Sequence, residues 1–412
     1  MIALTILACL VGLLVYYSPK MLANLLLEKW NKFFGTIDLL RLMITLKKTE
    51  EKSSLHGEGW IREWNERVKA TPDKLFLIKV PNVFDGKQEM ERENVRLTFA
   101  EADLLSNKVA NLMIRKYFPN KDERKYQTVA CLLRNEPMLI INWIGMAKAG
   151  LVGALLNTNV KGKALAHAII TALKHNHEGN SNILVIDYSL IQRLEDSDVK
   201  ATISMLDLKV LVYAGCKQGT SINNTNARYS SYDKLLSMSE DISVPKLSGI
   251  NWNRDPLILI YTSGTTGLPK AAKISHKRFV GAGLVVQKCA RTNIDDILYC
   301  ALPLYHSVGG MMGVSSCVLD GSTMVVKEHF SASKFAFDIA EYRCTVVQYI
   351  GELSRYALRA ECLEAEERCR RTLRVAIGNG MRREVWDEFS LRFGCRIVEY
   401  CKYQSIKATY MI

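Results

Sequence analysis

One ten-residue stretch, YTSGTTGLPK, brings together residue types that can hold an anion. Its residues, in order, are Tyr261, Thr262, Ser263, Gly264, Thr265, Thr266, Gly267, Leu268, Pro269 and Lys270. A Walker phosphate-binding loop requires Gly, four further residues, Gly-Lys and then Ser or Thr. Here Pro269 stands where the second glycine should be, and Ala271 stands where the hydroxyl should be. The stretch is therefore not a Walker loop.

The residue types of this stretch nevertheless suit a polyphosphate. Gly264 and Gly267 permit close backbone approach and positive φ angles, so successive amide groups can face an anion. The short hydroxyl groups are hydrogen-bond donors, Pro269 restricts the backbone at the exit, and Lys270 supplies a point charge. We predict that residues 261–270 grip a triphosphate. A Ser/Thr/Gly turn with a solvated lysine is the alternative.

The elements that position this stretch alternate between strand and helix. Apolar runs such as YQTVACLLR, NILVID, LILIYTS and LRVAIGN predict strands, and helical segments separate them. This alternation predicts an α/β fold with parallel strands covered on both faces. A polar stretch at 218–255 divides it into two alternating α/β subdomains, predicted at 56–250 and 251–400. Ligands are expected at the carboxyl ends of the strands.

Helix ends are predicted from the residues that cap them. Ser275 precedes HKRFVGAGLVVQKC and is predicted to be its N-cap. Gly150 and Gly394 follow helical segments and are predicted to end them.

Further segments, in a fixed order, make the chain resemble a known family. YTSGTTGLPKAA is similar to the AMP-binding loop of the adenylate-forming enzymes, and in particular of the fatty acid transport protein (very-long-chain acyl-CoA synthetase) family. The other segments are NEP at 135–137, WIGMAKAG at 143–150, LNTNVKGKALAH at 156–167, LPLYHS at 302–307, VQYIGELSRY at 347–356 and AIGNGMRREVW at 376–386. The resemblance covers residues 56–400 and implies the large domain of such an enzyme.

The resemblance implies a ligase that activates a long-chain or very-long-chain fatty acid and couples this to fatty acid uptake. ATP and the fatty acid give acyl-AMP and pyrophosphate, and coenzyme A then displaces AMP. Mg²⁺ is the implied ion, with no metal ligand assigned. By position, residues 262–270 bind the phosphates, Gly378, Asn379 and Gly380 lie beside the adenine, and Tyr305 and His306 lie near the acyl carboxylate. His306 is our candidate catalytic residue, and a capping or core histidine is the alternative.

The N-terminal residues predict a single-pass membrane anchor. IALTILACLVGLLVYY at residues 2–17 would span roughly 24 Å as a helix, a little under the thickness of a hydrocarbon core. A cleaved signal peptide is the alternative, but it would need a basic start and a small-x-small cleavage site. We assign 1–19 to the anchor and the lysine-rich 20–55 to a basic membrane-proximal segment. This places the soluble body in the cytosol, at the endoplasmic reticulum or plasma membrane, with membrane lipid as a partner.

The amino-acid composition limits the classes of partner that the protein is expected to bind. The apolar fraction of 48% is that of a globular protein, and the formal charge of +13 favours a membrane surface or a polyanionic substrate. No nucleic-acid partner is predicted, because basic runs interleaved with aromatic residues are missing. Eleven cysteines without a CxxC pair suit neither zinc nor a disulfide framework. His175, Asn176 and His177 are interpreted as surface, so no metal site is predicted, and a homo-oligomer is left open.

The last residues depart from the family pattern. After Tyr400 a segment with Thr-Glu-Gly is expected, but the chain reads CKYQSIKATYMI, and we assign 401–412 to a divergent tail. We therefore expect the C-terminal lid domain to be absent and this chain to have little or no synthetase activity. One alternative is a short isoform that binds nucleotide or a partner without catalysis. Another is an unrelated P-loop NTPase, which Pro269 and Ala271 argue against.

Overall fold

The computed structural model describes residues 44–45, 47–49, 51, 58–81, 83–84, 87–88, 95–121, 124–177, 181–215, 228–245, 247–263 and 268–399. The chain divides into two compact units, Met1–Thr49 and Glu50–Ile412. The predicted anchor at 1–19, most of the basic segment 20–55 and the tail 401–412 lie outside the described residues. Among the helices that are described, none combines the length and apolar character needed to cross a bilayer.

The larger unit contains two large sheets and a short two-stranded ladder. Its strands, in chain order, are β1 (Leu75–Val80), β2 (Val83–Phe84), β3 (Lys87–Gln88), β4 (Arg96–Thr98), β5 (Thr128–Leu132), β6 (Val152–Leu155), β7 (Ile183–Asp187), β8 (Lys209–Tyr213), β9 (Tyr229–Ser231), β10 (Pro256–Ser263), β11 (Pro269–Ser275), β12 (Ile297–Cys300), β13 (Thr323–Lys327), β14 (Val346–Ile350), β15 (Val375–Asn379) and β16 (Arg396–Glu399).

Helices connect most of these strands. The α-helices, in chain order, are α1 (Trp60–Ala70), α2 (Phe99–Leu112), α3 (Pro137–Ala149), α4 (Gly162–Leu173), α5 (Ser197–Met205), α6 (Tyr232–Ser237), α7 (His276–Ala290), α8 (Ser315–Asp320), α9 (Ala332–Glu341), α10 (Gly351–Ala357), α11 (Leu363–Arg370) and α12 (Arg383–Phe393). Met113–Tyr117 and Ser307–Val314 are π-helical, and Tyr188–Glu195 forms a 3₁₀ helix.

The strand order within each sheet confirms the predicted α/β fold class. The first sheet runs β11-β10-β6-β5-β7-β8-β9, and the second runs β16-β15-β14-β12-β13-β1-β4. Neighbouring strands are parallel except for β10 with β11 and β1 with β4. The predicted parallel pairing therefore holds for the interior of both sheets, and each antiparallel strand lies at an edge.

The boundary predicted at residue 250 does not separate the two sheets. Strands β1 and β4 come early in the chain but belong to the second sheet, where β1 pairs with β13. Strands β10 and β11 follow residue 250 but belong to the first sheet, where β10 pairs with β6. The chain therefore crosses between the sheets more than once.

Apolar side chains hold these layers together. In the first sheet, Ala130, Leu132, Leu184 and Ile186 pack with helix residues in one buried cluster. A second group of buried rings joins α1, α3 and α7, since the Trp60 ring lies 5.2 Å from those of both Trp143 and Phe279. Burial of this kind is the main force that stabilises such layers.

The predicted helix caps are confirmed. The Ser275 hydroxyl accepts a hydrogen bond from the backbone N–H of Arg278 at the start of α7. Gly150 (φ 81°) and Gly394 (φ 66°) end α3 and α12 in the left-handed conformation that favours glycine. These three residues fix where their helices begin or end.

Candidate functional site

The described residues of the stretch 261–270 lie at the facing ends of two strands of a β-hairpin. Strands β10 and β11 pair antiparallel, with Thr262 opposite Lys270 and Ser263 opposite Pro269. The side chains of Thr262 and Lys270 are exposed. Predicted site residues Gly264, Thr265, Thr266 and Gly267, at 264–267, lie outside the described residues.

Three residues of the stretch are buried or half-buried and hold this part of the hairpin in place. Tyr261 is buried, and its hydroxyl donates to the carbonyl of Ala168 in α4 (3.2 Å). Pro269 is buried at the start of β11, and Leu268 is half-buried beside it. The apolar members of the motif therefore anchor it, while Thr262 and Lys270 face outward.

The hairpin also shows that this stretch differs in structure from a Walker loop. A Walker loop runs from a strand directly into a helix. Here β11 intervenes before α7 begins at His276. Strand β11 was not predicted, because PKAAKIS has one strongly β-forming side chain, Ile274, and takes its strand conformation from pairing with β10.

The carboxyl edges of the two sheets meet beside this hairpin. Strands β6 and β10 are parallel neighbours, so the loop after β6 leaves the first sheet at the same edge as the hairpin tip. In that loop, the Asn159 side-chain amide donates to the Tyr305 hydroxyl of the second sheet's LPLYHS segment (3.2 Å). Arg193 supports the loop by donating to the carbonyls of Thr158 and Val160.

Tyr305 and His306 follow β12 at the carboxyl edge of the second sheet. Burial raises the pKa of the Tyr305 hydroxyl, which keeps it neutral and able to hydrogen bond. His306 is exposed as a residue, yet the protein around its ring lowers the pKa of the imidazole. A neutral imidazole can donate from one nitrogen and accept at the other. The Ser307 hydroxyl lies 3.5 Å from its Nδ1.

Gly378, Asn379 and Gly380 lie where β15 ends, at the same edge of the second sheet. A Cβ on Gly378 would lie 2.0 Å from the carbonyl oxygen of Tyr349, so no side chain fits there. Gly380 has φ 73°. The Glu399 carboxylate accepts from the Met381 backbone N–H (2.8 Å) and from the Tyr349 hydroxyl (3.2 Å). The glycines and this carboxylate thus shape a tight backbone turn.

Asn135 joins the two sheets directly behind the Tyr305 segment. Its amide nitrogen donates to the carbonyls of Leu302 (2.8 Å) and Lys327 (3.0 Å), and its oxygen accepts from the Leu304 N–H (2.5 Å). The residue is buried and follows β5 of the first sheet. Asn135 therefore fixes the backbone that carries Tyr305 and His306.

The residues on either side of Asn135 also cross between the sheets. Arg134 pairs with Asp187 of the first sheet (3.0 Å) and with Glu328, which follows β13 of the second (2.7 Å). Glu136 lies 3.2 Å from Lys79 on β1, and both side chains are almost fully buried. Burial raises the pKa of Glu136 to about 7, although Lys79 pulls it downward. This pairing was not predicted from the sequence. The signal for it was a lysine inside the apolar run LFLIKV, since a buried lysine needs a partner.

The described residues offer no preformed metal site. No group of three His, Cys, Asp or Glu side chains within them is placed to hold a metal ion. His175 and His177 are exposed. Between them, Asn176 is occupied by hydrogen bonds with the backbone of Thr128.

Comparisons with known proteins identify a family for the sequence and relatives for the fold. The sequence profile of the family described as AMP-binding enzyme matches residues 64–401. Long-chain fatty acid transport protein 1 of Rattus norvegicus is 35% identical over 363 residues, covering 88% of this chain and 50% of the rat protein. This chain spans about half the length of the curated relatives it matches.

Solved structures share the fold. Mycobacterium tuberculosis fatty acyl CoA synthetase superposes with a TM-score of 0.61 at 16% identity, covering 82% of this chain and 58% of that one. ATP-bound MatB from Rhodopseudomonas palustris superposes with a TM-score of 0.62 at 18% identity, covering 84% of this chain and 59% of that one. At these identities the likeness establishes the arrangement of helices and strands.

Proposed function

We propose, because this chain belongs to the AMP-binding enzyme family, that it serves the activation of long-chain fatty acids for uptake. In the proposed reaction the fatty carboxylate attacks the α-phosphate of ATP, forming acyl-AMP and releasing pyrophosphate. The thiol of coenzyme A then attacks the acyl carbon and displaces AMP, forming the thioester. The fatty-acid class comes from the names of the relatives, which are long-chain fatty acid transport proteins.

One observation carries this proposal: the Asn159–Tyr305 hydrogen bond brings the carboxyl edges of the two sheets into contact. The hairpin tip of 261–270 lies on the first edge, and His306 and Gly378–Gly380 lie on the second. A nucleotide between these edges could reach the phosphate stretch and the adenine stretch together. Ligands of open α/β sheets bind at such carboxyl edges.

The roles proposed for the residues follow their positions. The hairpin tip, with Thr262 and Lys270 exposed on facing strands, holds the phosphates. The turn at Gly378, Asn379 and Gly380 lies beside the adenine. His306, neutral at pH 7, orients the acyl carboxylate by hydrogen bonding. These groups position the reactants and offset the charge of the phosphates.

The proposed co-reactants are ATP, coenzyme A and Mg²⁺. Thr262 and Lys270 suit ATP because a hydroxyl donor and a cation stand side by side at the tip of the hairpin. Bound Mg²⁺ would neutralise phosphate charge. We assign it no protein ligand, since no suitable cluster occurs in the described part of the chain.

The proposed location is a membrane, with the soluble body of the protein in the cytosol. Support comes from the apolar residues 1–19, the lysine-rich residues that follow and the net charge of +13. A basic segment of this kind is attracted to anionic lipid. The endoplasmic reticulum and the plasma membrane both fit, and self-association stays a prediction.

The test is ATP affinity in variants of the hairpin. Lys270→Ala, and Thr265→Ala with Thr266→Ala, should each weaken ATP binding by at least about tenfold, since charge-assisted contacts are lost. Lys273→Ala is the matched control, because Lys273 is exposed on β11 but away from the tip. Isothermal titration calorimetry gives the affinities. Unchanged affinity in the tip variants would contradict the proposal.

Fatty-acid-dependent exchange of pyrophosphate into ATP separates two forms of the function. Exchange that needs a long-chain fatty acid indicates an active synthetase. ATP binding without exchange indicates the nucleotide-binding alternative. Hydrolysis of ATP in the absence of any fatty acid would point to an NTPase instead.

A further inference from the structure

We propose that this protein has a second small-molecule site, a cavity for an amphipathic organic anion at the amino ends of β6 and β10. The cavity measures about 320 Å³. This lies at the lower end of the roughly 300–1,000 Å³ found for small-molecule sites. The inference does not depend on the function proposed above.

The cavity is far from the predicted phosphate-binding stretch. It is lined by Pro256, where β10 begins, whereas the hairpin tip follows Ser263, where β10 ends. Seven residue steps along a strand correspond to about 23 Å. A ligand in the cavity is therefore not a ligand of the hairpin.

One wall of the cavity is apolar. It includes Ala149 at the end of α3, Leu151 just before β6, Val152 at the start of β6, and Leu257 in β10. All four are buried side chains of the core. Leu247 adds a half-buried side chain to the lining. This wall suits a short hydrocarbon body.

The lining also carries an excess of positive charge. Among the described residues that line the cavity, Lys121, Arg124 and Lys125 stand against one carboxylate, Asp255. Asp255 is already satisfied: it accepts from the Tyr126 hydroxyl (2.7 Å) and the Asn251 N–H (2.9 Å), and Lys125 lies 3.6 Å away. Lys125 and Asp255 thus balance each other.

Among the described residues, two of the lining cations have no counter-charge. Neither Lys121 nor Arg124 forms an ion pair within this part of the chain, and Nη1 of Arg124 is buried with no hydrogen-bond partner there. The carboxyl end of α3 contributes a partial charge of only about −0.5. A buried guanidinium N–H without a hydrogen-bond partner destabilises the folded protein, because the group has lost its hydration. A bound anion would accept that hydrogen bond and offset the loss.

His276 also lines the cavity but contributes no charge. Its Nδ1 accepts from the Trp60 backbone N–H (2.9 Å), and burial lowers the pKa of the imidazole to about 4. It is therefore neutral at pH 7. The ligand chemistry that fits is a carboxylate or phosphate monoester head on a short apolar body.

The first experiment compares head groups on one chain length, using the full chain and calorimetry at pH 7. Octanoate and octyl phosphate should bind, whereas octanol, octylamine and inorganic phosphate should bind at least about tenfold more weakly. The two anions also distinguish a carboxylate site from a phosphate site. Octanol binding as tightly as octanoate would overturn the proposal, because the site would then be merely apolar.

Variants then locate the binding. Arg124→Gln removes the unpaired charge, and Ser248→Trp places a large ring on an exposed residue of the lining. Each should weaken octanoate binding at least about tenfold, while Arg371→Gln, at an exposed arginine elsewhere, should not. The component of octanoate binding that depends on Arg124 should persist in the Lys270→Ala and His306→Ala variants.

A different set of results would refute the proposal that octanoate binds in the cavity. If His306→Ala or Lys270→Ala abolishes octanoate binding and Ser248→Trp does not, the anion occupies the candidate catalytic site. Circular dichroism confirms that each variant is folded. If Arg124→Gln is unfolded, the exposed Ser248→Trp variant decides alone.

Discussion

At the scale of single residues, the side-chain amide of Asn135 links the two sheets. From a position that follows β5 of the first sheet, it donates to the carbonyls of Leu302, after β12, and of Lys327 in β13, and it accepts from the Leu304 N–H. A buried polar group of this kind is stabilising only while every partner is present. The backbone that presents Tyr305 and His306 therefore depends on this one amide.

Asn135→Ala should lower the free energy of unfolding by about 2–4 kcal/mol, because three buried polar groups lose their partner. The matched control is Asn159→Ala, which removes one exposed hydrogen bond to Tyr305 and should cost less than about 1 kcal/mol. Urea denaturation followed by tryptophan fluorescence measures both. Equal losses in the two variants would show that Asn135 has no special role.

At the scale of elements, the ends of strands decide which residue types are allowed. Strand β15 lies so close to β14 at Gly378 that this residue has no room for a side chain. Two residues later, Gly380 has open space but a positive φ angle. A glycine in the strand and a glycine just after it are thus required for different reasons.

Because the reasons differ, alanine substitutions at the two glycines should lower the stability of the protein by different amounts. Gly378→Ala should destabilise the protein by at least about 3 kcal/mol, because its Cβ would force β14 and β15 apart. Gly380→Ala should cost about 1–2 kcal/mol, the price of a left-handed conformation for alanine. Thermal and urea unfolding distinguish the two. A Gly378→Ala variant as stable as Gly380→Ala would mean that the strands separate easily.

Single elements were predictable from the sequence because their signals are local. Apolar runs indicated the strands, and Ser275, Gly150 and Gly394 indicated helix ends, all from residues within a few positions. Strand β11 was missed because its conformation comes from pairing with β10. The motif residues at 302–307 and 376–386 were found through resemblance, whereas the contacts that hold them, such as Asn135, depend on folding.

At the scale of the whole protein, buried charges couple the two sheets. Lys79 of the second sheet pairs with Glu136, which follows the first, and both are buried. The pairing could not be predicted, because the two residues are separated by 57 positions in the sequence. A pair of this kind is sensitive to pH, since the folded pKa of Glu136, about 7, lies above its ordinary value of 4.5.

Lys79→Met should make stability fall at alkaline pH. A carboxyl whose pKa is raised by folding loses its stabilising effect as pH rises from the unfolded to the folded pKa. In the natural protein most of this loss has occurred by pH 7, because the folded pKa of Glu136 is about 7. Without Lys79 the pKa of Glu136 rises further, so the loss continues at about 1.4 kcal/mol per pH unit. Urea unfolding at pH 7.0 and 8.5 should show the variant losing about 1–2 kcal/mol more than the natural protein.

The control for this experiment is Lys209→Met, which breaks an exposed pair with Asp207 (3.5 Å). Its difference from the natural protein should be the same at both pH values, because exposed pairs contribute little. If Lys79→Met also shows no change with pH, Glu136 is not the group that couples the sheets.

The interleaved strand order determines which sheet can form first while the chain is synthesised on the ribosome. The first sheet uses residues 128–275, so its strands can pair as soon as that stretch has emerged. Strand β1 must wait for β13, whose pairing Leu77 with Met324 spans 247 positions. Until then the apolar strand LFLIKV has no native neighbour but β4, and such exposed strands are prone to aggregate. Newly made chains should therefore need chaperone protection longest at their earliest strand.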